Sequence, residues 1–166
     1  MTIHKSTRSA NASQDSKTAA AQVTGLDVLR AASDGLVETP PAAALLDWKA
    51  LSLEPGHVRV HYTAKPEFAN PQGAVQGGFL AAMLDDAMGP ALFTMLAADD
   101  FAPTIEMKVS YLRPARPGSL IAEGRVVHQT RSLASLEGML STEDGELVAT
   151  ATATARIIPS AGNKLQ

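Results

Sequence analysis

The 166-residue chain contains no cysteine. This excludes a disulfide scaffold, a thiolate metal site and a cysteine nucleophile, and it is compatible with a reducing cytoplasm, the compartment expected for the chain. Basic charge is not in surplus either. The formal net charge is −3, which gives no electrostatic basis for binding nucleic acid. No Gly-x-Ser-x-Gly elbow occurs, so an α/β-hydrolase esterase is not supported. His57, His61 and His128 lack ligand spacing, and no metal site is expected. No apolar run of signal-peptide length follows Met1, and no internal repeat is visible.

What is present is the composition of an ordinary soluble globular protein, 45% hydrophobic and 19% charged, at a length that suits one domain with a full core. Residues 1–22 are polar and rich in Ser, Ala and Thr, with Lys5, Arg8 and Lys17 against Asp15, and read as a flexible arm. A single domain is expected over 23–158, with a short tail at 159–166. The most apolar run, from Gly77 to Ala98, is long enough to span a bilayer, yet it carries Asp85, Asp86 and a Gly89-Pro90 pair. Two adjacent carboxylates at bilayer depth are expensive without partners, so the run predicts a buried helix and no membrane insertion.

The periodicity orders the other elements. Thr24 with Asp27 three residues on predicts a capped short helix that stops near Asp34-Gly35. Pro40-Pro41 predicts an extended connection, and Leu45 to Leu53 a possible strand. Glu54-Pro-Gly56 is a turn signal. Beyond it, His57 to Thr63 alternates, with Val58, Val60 and Tyr62 on one face, so a hairpin is expected. Lys65 to Val75 reads as a loop, followed by the long helix to about Ala97. Four strands follow. Ile105, Met107, Val109 and Tyr111 share a face of the first; Leu120–His128, Leu133–Ser141 and Glu146–Ile157 are the others. The last places Ala149, Ala151, Ala153 and Ala155 on one face, an alanine ladder that lets another element come close. A helix apolar all round must be covered on most sides, which a curved antiparallel sheet wrapped around it achieves. The fold class is α+β.

Gln76-Gly77-Gly78 stands where that helix begins. The first turn of a helix has unpaired N–H groups and a partial positive charge, and glycine leaves them open to an anion or a developing oxyanion; a tight loop-to-helix turn also calls for glycine. Asp85 lies further along the helix among mostly small neighbours, Ala81, Ala82, Met88 and Gly89, where a carboxylate is costly unless paired or used. Gly77 and Asp85 are eight residues apart, about 12 Å along the axis. If both act on one substrate, a two-fold pairing of antiparallel helices would bring one chain's helix start to the other chain's Asp85.

The pattern Asn70-x5-Gln76-Gly-Gly-x6-Asp85 resembles the PaaI-type and 4-hydroxybenzoyl-CoA-type hotdog thioesterases, in which an Asn or Gln precedes His-Gly-Gly, with Asp or Glu nine residues after the His. The similarity runs from about Leu45 to Ile157 and includes Thr104-Ile-Glu-Met-Lys-Val-Ser-Tyr-Leu-Arg-Pro-Ala. The resemblance implies a hotdog fold and hydrolysis of an acyl-CoA thioester, with coenzyme A part of the substrate and no separate cofactor. It implies that Gly77 supplies the N–H that binds the thioester oxygen, that Asp85 is nucleophile or general base, and that Asn70 holds that carboxylate or the attacking water. Thr104 matches a Ser/Thr position that orients the water in some members; after Pro103 at a strand start it reads equally as a turn hydroxyl. Gly78 belongs to the substrate-binding turn. Asp86 has no matching role and reads as structural. The departure is Gln76, where the family has His: an amide can donate and accept but carries no charge. Arg113, Arg116 and Arg131 are candidates for the CoA phosphates, or else solvated turn residues. A homodimer that pairs again into a tetramer is expected from the resemblance. A module that binds acyl-CoA without turnover is the alternative reading. A hotdog dehydratase needs a His in the helix, which has none.

Overall fold

The computed structural model describes residues 22–160; the arm predicted over 1–22 lies outside them, apart from its last residue, as does most of the tail. Helix α1 (Gly25–Ser33) starts on the predicted capping box: the Thr24 hydroxyl accepts from the Asp27 N–H at 3.2 Å, and the Thr24 N–H donates to the Asp27 carboxylate at 2.9 Å. The extended connection expected at Pro40-Pro41 is corrected. Pro41 opens a short helix, α2 (Pro41–Leu45), because proline's fixed φ and missing N–H suit a first helical position. The strand expected from Leu45 therefore starts later, as β1 (Lys49–Glu54). Between them Asp47 adopts φ 57°, and its carboxylate accepts from the Thr63 hydroxyl and from Lys49 Nζ, which fastens α2 to the sheet.

β2 (His57–Ala64) follows, with Val58, Val60 and Tyr62 fully buried as their alternation predicts. A 3-10 turn (Pro66–Phe68) lies inside the predicted loop. The central helix, α3 (Gly77–Phe93), is shorter than expected. It stops because the buried Thr94 hydroxyl donates to the Ala91 carbonyl at 2.6 Å and accepts the Gly56 N–H at 2.7 Å, turning the chain towards the β1–β2 hairpin. β3 (Thr104–Tyr111), β4 (Gly118–Gln129), β5 (Leu133–Thr142) and β6 (Leu147–Arg156) complete the sheet. Its order is β1-β2-β4-β5-β6-β3, antiparallel throughout, and it is not closed. Register shifts in β1, β3, β4 and β6 curve it around α3. This is a hotdog fold.

The helix settles most deeply where side chains are missing. Gly124 on β4 pairs with Gly138 on β5, which pairs with Ala151 on β6. A Cβ on Gly124 would stand 2.2 Å from the Ala87 carbonyl oxygen, so backbone rests on backbone there. The alanine ladder is buried as predicted, but the closest approach falls on these glycines, one and two strands further in. β3 also departs from expectation. Met107 and Val109 pack on the core, whereas Ile105 and Tyr111 are 57% and 53% exposed. β3 is an edge strand, and a bulge between Thr104 and Glu106 displaces Ile105 from the inward face. Among the described residues no helix is long and apolar enough to cross a membrane.

Candidate active site

The loop before α3 is built by Asn70. Its side-chain oxygen accepts from the Gln72 and Ala74 N–H groups at 3.0 and 3.1 Å, and its backbone N–H donates to the Ala74 carbonyl at 2.7 Å. The loop is tied down at both sides, by the Val75 N–H to the Ala115 carbonyl and the Gln76 N–H to the Phe68 carbonyl, each at 2.8 Å. Within the chain Asn70 thus organises the approach to the helix, and no hydrogen bond among the described residues joins it to Asp85.

Gln76 is the N-cap of α3. Its Oε1 accepts the Gly78 N–H at 2.9 Å, so that amide is committed to the cap and is not open to a ligand as the sequence suggested. The Gly77 N–H differs: among the described residues it has no hydrogen-bond partner. It stands at the positive end of α3. Tyr111, on β3, covers this glycine. Its hydroxyl donates to the Gly77 carbonyl at 3.0 Å, and its ring sits where a side chain would be, 3.2 Å from a Cβ at that position. Sequence reasoning assigned Tyr111 only to a strand face.

β3 runs back along α3, so its first residue meets the second half of the helix. The Thr104 hydroxyl donates to Asp85 Oδ1 at 2.8 Å. The Thr104 side chain thus meets the carboxylate directly, a contact that neither the water-orienting nor the turn-hydroxyl reading specified. Asp86, the neighbour read as structural, is held differently: the fully buried Tyr62 donates to its Oδ2 at 2.9 Å. Burial pushes the Asp86 carboxyl up to about 6; the nearby Asp85 adds to the rise and the Tyr62 hydrogen bond opposes it. Burial and the two carboxylates raise the Tyr62 phenol well above its ordinary value.

Both aspartates open on one cleft of about 390 Å³. Ala42 and Leu46 form one wall, Ala82, Gly89 and Pro90 the helix side, and Ala102, Pro103 and Thr104 the lip before β3. The helix is loosened here, because Pro90 has no N–H to give the Asp86 carbonyl.

The three arginines do not converge. The Arg116 guanidinium lies over the loop, 3.8 Å from a Cβ position on Gly73. Arg113 is exposed and 3.4 Å from Glu146. Arg131 follows β4 while the other two precede it, and the strand's 12 residues span about 40 Å. Only Arg113 and Arg116 are near the start of α3. His57 pairs with Glu123 at 2.8 Å and His61 with Ser119 at 2.6 Å.

Comparison with known proteins identifies the family. The model of the thioesterase superfamily matches residues 72–149. A solved phenylacetic acid degradation-related protein from Ralstonia eutropha, provisionally named a thioesterase, is 35% identical, with 76% of this chain and 97% of that chain covered and a TM-score of 0.73. A thioesterase family protein from Silicibacter pomeroyi is 26% identical over 78% of this chain and 97% of its own, with a TM-score of 0.70. A protein from Saccharolobus solfataricus provisionally named an esterase is 32% identical over 64% of this chain and 75% of its own. Fold and relatives together define a thioester hydrolase built on a hotdog domain. The chain belongs to the thioesterase superfamily.

Proposed function

We propose that the chain hydrolyses an acyl-CoA thioester to a free acid and coenzyme A, at a site shared by two copies. The observation that carries this is the Asp85 carboxylate, held by Thr104, on the same helix as the unpaired Gly77 N–H but two turns beyond it. One chain cannot bring both to one carbonyl carbon. A second copy with its helix antiparallel supplies Gly77 opposite Asp85. The exposed apolar residues Ile105, Tyr111 and Leu112 of the β3 edge favour such a pairing.

In this site the Gly77 N–H receives the charge that develops on the thioester oxygen, aided by the helix dipole. Asp85 either takes a proton from the attacking water or attacks the carbonyl itself. By either route the C–S bond breaks and the thiolate of CoA takes up a proton; in the second, water then hydrolyses the acyl-Asp85 anhydride, releasing the acid and restoring the carboxylate. Gln76 needs no charge here: it caps the helix and keeps the Gly77 amide turned outward. Arg116, over the loop, is the arginine best placed for a CoA phosphate. A solved protein from Streptococcus mutans bound to acetyl CoA, 25% identical with a TM-score of 0.61 and 66% and 87% of the two chains covered, supports the substrate class.

Thiol release across short, long and aromatic acyl-CoAs tests the reaction. Calorimetric binding of these esters with no thiol released from any of them would replace hydrolysis by ligand binding. The shared site makes its own prediction. Asp85→Ala and Asn70→Ala chains should each be nearly inactive. Co-expressed with different tags and purified as the mixed dimer, they should recover about half the parent rate, since one of two sites is then intact. No recovery in a confirmed mixed dimer would place the whole site in one chain.

A further inference from the structure

The cleft beside Asp85 holds a carboxylate that the hydrolysis does not use. Asp86 follows Asp85 in the chain and points about 100° away around the helix. Its Oδ2 is occupied by Tyr62 at 2.9 Å. Its Oδ1 has no hydrogen-bond partner among the described residues, and the residue lines the cleft. The surrounding wall is small and apolar: Ala42, Leu46, Ala82, Gly89 and Pro90. Among the described residues no Lys or Arg lines it. The titratable groups facing Asp86 are Asp85 on α3 and the Tyr62 phenol on β2; α2 and the segment before β3 contribute none to the wall.

Resting on the hydrolytic reading above, we propose that this cleft receives the acyl group and that Asp86 selects it: acyl groups bearing a hydrogen-bond donor are favoured, and acyl groups ending in a carboxylate are excluded. A purely apolar acyl chain strips water from Oδ1 and returns nothing. A hydroxyl on the chain donates to that oxygen. A terminal carboxylate brings a third negative charge, beside Asp85 and Asp86, against a wall to which the described residues of this chain supply no cation. Asp85 acts on the reacting end, common to every substrate, so a ratio between substrates isolates Asp86.

The selection depends on pH. Burial raises the Asp86 carboxyl to about 6, so it is charged above that value and protonated below it. Exclusion of a carboxylate-ended acyl group is therefore complete at higher pH and fades as pH falls through about 6. A neutral Asp86 can then donate to that carboxylate.

Three thioesters of equal acyl length test this on the full chain: butyryl-, 4-hydroxybutyryl- and succinyl-CoA. At about pH 8, kcat/KM should rank hydroxybutyryl above butyryl, with succinyl at least about tenfold below butyryl. Asp86→Asn should bring succinyl to within about threefold of butyryl, and the parent should narrow the same gap at about pH 5. Tyr62→Phe keeps the carboxylate but removes the bond that lowers its pKa, so the pH at which succinyl becomes acceptable should rise. This second variant decides the matter if Asp86→Asn does not fold. The same ranking in the dissociation constants of non-hydrolysable thioether analogues, with no thiol release from the esters, would leave the selection standing and remove the hydrolysis. Hydrolysis with equal ratios in the parent and in both variants would overturn the selection alone.

Discussion

Asp85→Ala should lower kcat/KM on the best acyl-CoA substrate by about 10³-fold or more, with the fold and the proposed dimer retained. The magnitude follows from what the residue does in either route. As general base it is expected to supply on the order of 10²–10⁴-fold. As nucleophile its loss removes the covalent path altogether. The fold should survive because Asp85 is part-exposed and its bond to Thr104 lies at the surface, so removal strands no deeply buried group. Circular dichroism and native mass measurement check this independently of activity. Asp85→Asn sharpens the test: it keeps a side chain of the same size that can still accept from Thr104, but it cannot take a proton. The two variants should be almost equally impaired. An alanine variant that keeps the parental rate on a good substrate would sink the assignment. So would an asparagine variant with nearly full activity, because shape rather than a proton-accepting carboxylate would then carry the rate. The neighbouring Asp86→Asn should behave differently, moving the ratios between substrates more than the common rate.

The sequence made the frame of this site legible because its signals are local. Period two gave β2 and the four later strands; the capping box gave α1; the most apolar run gave α3. The spacing put the candidate residues Gly77 and Asp85 at the start and middle of one helix, and helix geometry alone separated the two by too much for one chain. What escaped depends on partners distant in sequence. Asp86 looked structural because its donor, Tyr62, is 24 residues earlier on a strand, and a polar bond at that separation leaves no spacing signature. Tyr111 covers Gly77 across 34 residues for the same reason. The arginines were grouped by residue type, but β4 carries Arg131 to the far end of the sheet from Arg116. Pro41 misled locally, and so did the open amide expected at Gly78. Proline serves a helix start as well as an extended link, and a glycine N–H beside a capping side chain is not free.

The glycine at the helix–sheet contact predicts the largest loss of stability. Gly124→Ala puts a Cβ 2.2 Å from the Ala87 carbonyl oxygen, 2.5 Å from its carbon and 2.8 Å from the Met88 nitrogen. These are backbone atoms in the middle of α3, so no rotamer change relieves the clash; the helix must lift from β4. Overpacking of a core commonly costs about 1–3 kcal/mol when side chains can adjust. With backbone on both sides, the cost should exceed about 3 kcal/mol, enough to leave much of the chain unfolded at the stability usual for such domains. Two further positions grade the effect. At Gly138 the nearest atoms are side-chain ends, Met88 Cγ at 3.1 Å and Leu84 Cδ2 at 3.2 Å, so Gly138→Ala should cost only about 1 kcal/mol or less. At Gly89, within α3, nothing lies within 4 Å of an added Cβ, and Gly89→Ala should add about 0.5–1 kcal/mol through helix propensity. Chemical denaturation of the three variants should return that order. Equal, mild effects at Gly124 and Gly138 would mean that α3 does not rest on the sheet backbone. The contact matters for activity as well as folding, because α3 carries Gly77 and Asp85 while the sheet carries Thr104. A helix lifted off Gly124 moves the carboxylate away from the hydroxyl that holds it, so any folded fraction of Gly124→Ala should lose activity beyond its loss of native protein.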